Sequence, residues 1–82
     1  MTAATDLKTR IRNVVAVALD IPPSTIDDTT SSTTVEEWDS MNHIQLIVAL
    51  EGEFGVSFEP ERAVELVSVA EIERALIALG VT

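Results

Sequence analysis

The segment from Asp39 to Gly55 constrains the fold most strongly, because it contains a start signal, an apolar period and a stop signal for one helix. Asp39 is a good N-cap, since its carboxylate can accept a first-turn N–H and complements the positive end of the helix dipole. Gly55 can end the helix in a left-handed conformation. Between them, apolar residues recur at a helical period and form one face, which consists of Met41, Ile44, Ile47, Val48 and Phe54. Leu46 and Leu50 widen this apolar face. We therefore predict a largely buried helix over residues 40–54.

The N-terminal part of the chain predicts a first helix over about residues 5–20. Its apolar side repeats at the helical period and consists of Leu7, Ile11, Val14, Val15, Ala18 and Leu19. Basic residues precede the apolar stretch from Val14 to Leu19, as in a signal peptide, but the stretch is short and ends at Asp20. We interpret it as the first helix of a cytoplasmic domain.

A long polar loop is predicted between these two helices. Pro22 and Pro23 stop the first helix, and residues rich in Ser, Thr and Asp follow as far as Trp38. The hydroxyl run 29–34 is expected to be flexible, since it offers nothing apolar to bury. The apolar residues that can pin the rest of the loop onto the bundle are Ile21, Ile26, Val35 and Trp38.

Two more helices are predicted after Gly55. Pro60 suits the first position of a short helix over residues 60–66, imperfectly capped by Glu59. Ser68 and Glu71 form a capping box for a last helix over residues 69–79. Its predicted buried stripe is Val69, Ile72, Leu76 and Leu79, and Gly80 marks its end. The expected fold is all-α, a small bundle of three main helices and one short helix in a single domain spanning residues 1–82.

Composition narrows the classes of partner. The chain of 82 residues has no cysteine, which excludes disulfides and thiolate metal sites. Its net charge of -9 disfavours binding to nucleic acid and to anionic membranes, and favours partners with basic patches. No stretch approaches the length of a membrane span. We expect a monomer that binds neither nucleic acid nor membrane.

Ser40 stands at the first position of the central helix, with its hydroxyl able to face solvent. Taken alone, the Asp39-Ser40 dipeptide is ordinary capping chemistry. A serine nucleophile would need an oriented base and an oxyanion site. His43 lies one turn away, but no third group or oxyanion pattern accompanies the pair. An exposed serine without catalytic partners suits modification better than attack.

Metal binding by the acidic loop is also disfavoured. If a twelve-residue EF-hand calcium loop is placed with its first position at Asp27 or at Asp28, the glycine at position six and the glutamate at position twelve are missing. We predict no structural metal site, and weak binding of divalent cations by clustered carboxylates stays open for a surface this acidic.

The pattern around Ser40 resembles the acyl and peptidyl carrier protein family. The resemblance rests on Asp39-Ser40-Met41, followed by Ile44, Leu46, Ile47, Ala49, Leu50, Glu51, Glu53, Phe54, Gly55 and Val56, and it extends over nearly the whole chain. It implies that Ser40 carries 4'-phosphopantetheine, placed there from coenzyme A by a phosphopantetheinyl transferase. The terminal thiol would hold an acyl or aminoacyl group as a thioester, and the carrier itself would have no catalytic activity.

The implied partners are the transferase and the enzymes that load and transfer acyl or aminoacyl groups, which should carry basic docking patches. Residues expected to be recognised are Glu36, Glu37, Asp39, Met41, His43 and Glu51. Fatty-acid carriers of this family typically have an acidic second helix, whereas here Asn42, Gln45 and Gly52 occupy such surface positions. This departure favours a dedicated pathway, such as a polyketide, aminoacyl or lipid-modifying system. The alternative is a non-carrier helical domain whose groove receives a partner helix.

Overall fold

The computed structural model describes residues 6–81, and its regular elements are helical. The helices are α1 (Leu7–Leu19), α2 (Ser40–Phe54), α3 (Pro60–Ala63) and α4 (Val69–Ala78), with one 3-10 turn at Pro23–Thr25. α1 packs against both α2 and α4. The predicted all-α bundle of three main helices and one short helix is confirmed.

Two aspartates bound α1. The carboxylate of Asp6 accepts a hydrogen bond from the backbone N–H of Thr9 at 2.8 Å and so caps the first turn. Asp20 adopts the left-handed conformation, with φ 56°, which aspartate tolerates better than most residues with a side chain. Asp20 is therefore the cap of α1 rather than its last helical residue. The predicted start at residue 5 lies outside the described residues.

A single apolar cluster forms the core and draws on the three long helices, on the loop before α2 and on the turn after α3. Its buried members are Ile11, Val15, Ala16, Leu19, Ile26, Trp38, Leu46, Leu50, Leu66, Val69, Ile72, Ala75 and Leu76. The predicted inner face of α1 is confirmed, and Leu7, Val14 and Ala18 pack at its edge. Ile21 and Val35 likewise pack against the cluster, so the loop is pinned where the sequence indicated.

One side of α2 differs from the prediction. Met41, Ile44 and Val48 were expected to be buried, but they are 72%, 66% and 63% exposed. Leu46 and Leu50 are fully buried and form the inner face instead. Apolar residues cover two adjacent sides of this helix, and the rest of the bundle packs on only one of them. The outward side is therefore an apolar surface in contact with solvent.

The hydroxyl run 29–34 is organised by polar contacts, although the sequence favoured a flexible segment. The backbone N–H of Ser32 donates to the carbonyl of Val67 at 2.8 Å, and the N–H of Val69 donates to the carbonyl of Thr30 at 3.0 Å. Thr30 is itself buried. These bonds fasten the loop to the segment that enters α4, so the run has partners that its composition did not reveal.

α3 is shorter than the predicted helix over residues 60–66. Pro60 is its first residue, and Glu59 makes no side-chain capping bond, as expected. After Ala63 the chain tightens, since the N–H of Leu66 donates to the carbonyl three residues earlier, at 3.2 Å. The tighter turn accompanies the complete burial of Leu66.

Half of the predicted capping box is present in α4. The hydroxyl of Ser68 accepts the N–H of Glu71 at 3.1 Å. The Glu71 carboxylate pairs with Arg74 at 2.7 Å and not with the backbone N–H of Ser68, as a full capping box would require. Leu79 was predicted in the buried stripe but is 50% exposed, because α4 ends at Ala78 and Leu79 is its C-cap.

Candidate functional site

The start of α2 fixes the position of Ser40. Asp39 has an extended backbone, and its carboxylate accepts the N–H of Asn42 at 2.9 Å, so the predicted N-cap is present. The carbonyl of Asp39 also accepts the N–H of His43 at 2.8 Å, which closes the first turn. Ser40 is therefore the first helical residue, and it is exposed. Its hydroxyl is open to a large reactant from solvent.

The turn that leads into α2 is acidic and is tied to the helix. The side-chain amide of Asn42 donates to the carbonyl of Glu37 at 2.8 Å. Glu36, Glu37 and Asp39 are all exposed. Within residues 6–81, the four ion pairs lie elsewhere, so these three carboxylates form none. A negative rim therefore precedes Ser40.

An open groove of about 580 Å³ runs beside Ser40, between α2 and the segment that follows α3. Its apolar wall is made of Ile44, Val64 and Val67, and Val64 is 68% exposed. The groove is lined by Ser32, Trp38, Asp39, Ser40, His43, Ile44, Val64 and Val67. A flexible group attached to Ser40 would start at the edge of this groove.

His43 lies at the groove, and both of its ring nitrogens are used inside the fold. The indole N–H of Trp38 donates to His43 Nδ1 at 3.0 Å. His43 Nε2 lies 2.8 Å from the carbonyl oxygen of Ala63. An indole nitrogen only donates, so Nδ1 is the acceptor and Nε2 carries the proton. The ring has no free lone pair with which to take a proton from Ser40, which agrees with the rejection of a catalytic Ser40–His43 pair.

The exposed apolar side of α2 is continuous with Ser40. Ile44 and Val48 follow Ser40 at intervals of four, and Met41 lies beside them on the same face. We call Met41, Ile44 and Val48 the apolar stripe. Large exposed apolar side chains in a contiguous row mark a surface for contact with another protein. Met41 was expected to be recognised by partners, but periodicity had assigned Ile44 and Val48 to the core only, so their exposure is a functional signal that sequence reasoning missed.

Glu51 and His43 have structural contacts that the sequence did not predict. Glu51 is half-buried, and its carboxylate accepts the N–H of Phe58 at 2.8 Å. It thereby anchors the loop between α2 and α3. His43 joins the loop before α2 to the end of α3. Glu36, Glu37 and Met41 are exposed, and Asp39 is exposed but also caps α2, whereas Glu51 and His43 are half-buried parts of the fold.

Other kinds of site find little support in the described part of the chain. Residues 6–81 contain no group of three or more His, Asp or Glu side chains arranged to hold a metal ion. Over the same range, none of the helices combines the length and the apolar character that crossing a bilayer requires. The start of α2 is therefore the strongest candidate site.

Comparison with known protein families places the chain in a family. A model of the family described as phosphopantetheine attachment site matches residues 9–76, which includes the whole of α2. Domains of this family hold a covalent 4'-phosphopantetheine arm, interact with phosphopantetheinyl transferases and biosynthetic enzymes, and generally have no catalytic activity of their own. The match covers most of the chain, and the helical fold agrees with it. The chain therefore belongs to the phosphopantetheine-binding family of acyl and peptidyl carrier proteins.

Proposed function

We propose that Ser40 is the residue that carries the arm, and that the protein presents an acyl or aminoacyl thioester to partner enzymes. The observation that carries this proposal is the exposed hydroxyl at the first position of α2, at the edge of the groove. A helix N-terminus also suits the phosphate that joins the arm to the serine, because first-turn N–H groups and the dipole favour an anion. The residues present therefore fit the group that the family implies.

The reaction that attaches the arm is a phosphoryl transfer to a hydroxyl. The Ser40 oxygen forms a bond to the phosphorus that bears the pantetheine of coenzyme A, and the pyrophosphate bond of coenzyme A breaks. Adenosine bisphosphate leaves, and the serine proton passes to a base supplied by the transferase. His43 is not that base, since both of its nitrogens are already bonded.

The test is intact mass after incubation with coenzyme A and a broad-specificity transferase. We expect wild type to gain one phosphopantetheine and Ser40→Ala to gain none. Ser57→Ala is the matched control, because it removes another exposed hydroxyl and leaves the start of α2 unchanged. An unchanged wild-type mass with several transferases, or an equal gain by Ser40→Ala, contradicts the proposal.

We further propose that partners dock on the apolar stripe and its acidic surroundings. The stripe offers an apolar centre, and Glu36, Glu37 and Asp39 supply a negative rim at the end nearest Ser40. A complementary partner has a basic rim around an apolar contact. Both features lie at the attachment point, so docking would bring the thioester to the partner.

The pathway and the class of cargo are inferred from the charge of the α2 surface. The α2 positions Asn42, Gln45 and Gly52 are neutral, and Gln45 and Gly52 are exposed, which supports a dedicated pathway over general fatty-acid synthesis. A loading assay that compares amino acids with fatty acids on the phosphopantetheine form, with its partner enzymes, separates the two classes of cargo. Efficient loading by a fatty-acid system alone contradicts the dedicated role.

A further inference from the structure

A hydrogen-bonded bridge closes the space between α2 and α3 one turn from Ser40. It runs from the Trp38 indole through the His43 ring to the carbonyl of Ala63, with distances of 3.0 Å and 2.8 Å. The Trp38 and His43 rings also lie nearly parallel, with 6.4 Å between their centroids. The bridge therefore connects the loop before α2, α2 itself and the end of α3.

The apolar core lies on the inner side of this bridge. Trp38 is nearly fully buried, and Leu46 and Leu66 in the same cluster have no exposed surface. A chain attached to Ser40 that entered the core between α2 and α3 would have to separate the bridged groups. Separation would leave a buried indole N–H and a carbonyl without partners, which costs more than the net gain of an ordinary hydrogen bond.

The groove outside the bridge offers a different environment. Ile44 and Val64 form its apolar wall but remain 66% and 68% exposed, so an alkyl chain lying there would be covered on one side only. Ser32 and Asp39 add polar groups to its lining. This mixture of apolar and polar groups suits an arm that contains amides. A long alkyl chain would bury little apolar surface there and would gain little free energy.

We propose that the bridge keeps the group carried by Ser40 outside the core, and that the protein therefore takes short or polar acyl and aminoacyl groups rather than long alkyl chains. The inference rests on the proposed attachment at Ser40. It deepens that proposal because it assigns a class of cargo and gives His43 the role of a positioning residue.

The test compares arms loaded from acetyl-coenzyme A and from octanoyl-coenzyme A. We expect the two wild-type forms to have thermal midpoints within about 2 °C of each other, because neither chain enters the core. Methyl NMR signals of Leu46 and Leu66 should stay unchanged, whereas those of Val64 and Val67 in the groove should shift. A midpoint about 10 °C higher for the octanoyl form, with shifts at Leu46 and Leu66, overturns the proposal.

Variants at His43 test the bridge itself. His43→Leu keeps apolar bulk and removes both hydrogen bonds, so we expect its octanoyl form to melt well above its acetyl form. His43→Gln retains one donor and one acceptor and is expected to behave as wild type. If His43→Leu folds and its octanoyl and acetyl forms have the same thermal midpoint, the bridge is not the barrier. If this variant does not fold, the wild-type comparison still decides the question.

A second route makes the outcome independent of the transferase. The chain contains no cysteine, so Ser40→Cys can be labelled selectively with methyl or octyl thiosulfonate reagents. We expect the same pattern of midpoints and methyl shifts as with the natural arm. Failure of wild type to gain mass from acyl-coenzyme A contradicts attachment at Ser40, whereas octyl-induced core shifts in the labelled variant contradict the bridge.

Discussion

The carboxylate of Asp39 accepts the backbone N–H of Asn42 at 2.9 Å, so the acidic residue beside Ser40 is part of the start of α2. The same residue is exposed and belongs to the negative rim before the helix. Asp39 therefore combines two properties that a single substitution to alanine would remove together. The cap holds Ser40 at the first helical position, and the charge is available to a docking partner.

Asparagine at this position separates the two properties. Asp39→Ala should lower the free energy of unfolding by about 1 kcal/mol, because a first-turn N–H loses its partner. Asp39→Asn keeps an acceptor and should retain most of that stability, while arm transfer becomes slower at low salt because the charge is gone. Chemical denaturation and transfer rates measure the two effects. Equal destabilisation by both substitutions would show that the cap depends on the charge rather than on the hydrogen bond.

Acid sensitivity is predicted at Asp27 in the loop before α2. The hydroxyl and the backbone N–H of Thr29 donate to its carboxylate, at 2.6 Å and 2.8 Å, and they hold its pKa below the ordinary value of 3.8. A carboxyl group with a lowered folded pKa stabilises the fold above its unfolded pKa. That contribution disappears as the pH falls from about 4 through the folded pKa.

The measurement compares wild type with Asp27→Asn by denaturation at pH 6 and at pH 3. We expect wild type to be the more stable at pH 6 and the difference to shrink at pH 3, because the contribution of the ionised carboxylate is lost as the pH falls toward and through its lowered pKa. Glu36→Gln controls for the loss of one exposed negative charge. A difference that stays constant between the two pH values contradicts a role for ionised Asp27.

The starts of α2, α3 and α4 and the end of α2 were the most predictable part of this fold. Asp39, Gly55, Pro60 and Ser68 act locally, through capping bonds and backbone preferences that each residue has on its own, and the structure shows each of them at the expected end. The order of elements follows from these signals together with the apolar periods. The start of α2, and with it the exposure of Ser40, was therefore accessible from the sequence.

Features that depend on distant parts of the chain were not predictable in the same way. The sequence shows that Met41 and Ile44 are apolar, but which side of α2 the bundle covers depends on how α1 packs. The bridge from Trp38 through His43 to Ala63 spans residues that no local pattern connects. The early end of α3 likewise accompanies the burial of a leucine in a core that other helices build.

Because the apolar stripe is exposed, we expect substitutions in it to weaken partner binding but to leave the stability of the fold nearly unchanged. Ile44→Ala and Met41→Ala should change the free energy of unfolding by less than about 0.5 kcal/mol, because both side chains are largely exposed. Both should weaken binding of the transferase at all salt concentrations, since an apolar anchor acts mainly on the lifetime of a complex. Leu46→Ala is the contrasting variant. Because Leu46 is fully buried, this substitution should lower the free energy of unfolding by about 3 kcal/mol.

Binding affinity at low and high salt, together with denaturation curves, checks this expectation. Gln45→Ala serves as the surface control, because it removes an exposed polar side chain on the same helix. Unchanged affinity in Ile44→Ala and Met41→Ala places the docking surface elsewhere on the domain.

The acidic rim predicts an effect on the rate of association. Glu36 and Glu37 are exposed and take part in no ion pair among the described residues, so their charge is available to steer a basic partner. Replacing both by lysine should slow arm transfer at low salt and flatten its salt dependence, because rim charges act mainly on encounter. The charge-matched control replaces Glu59 and Glu61, which border a separate groove between α3 and α4. If both double variants are folded by circular dichroism and are modified equally fast at low salt, the rim before Ser40 does not guide docking.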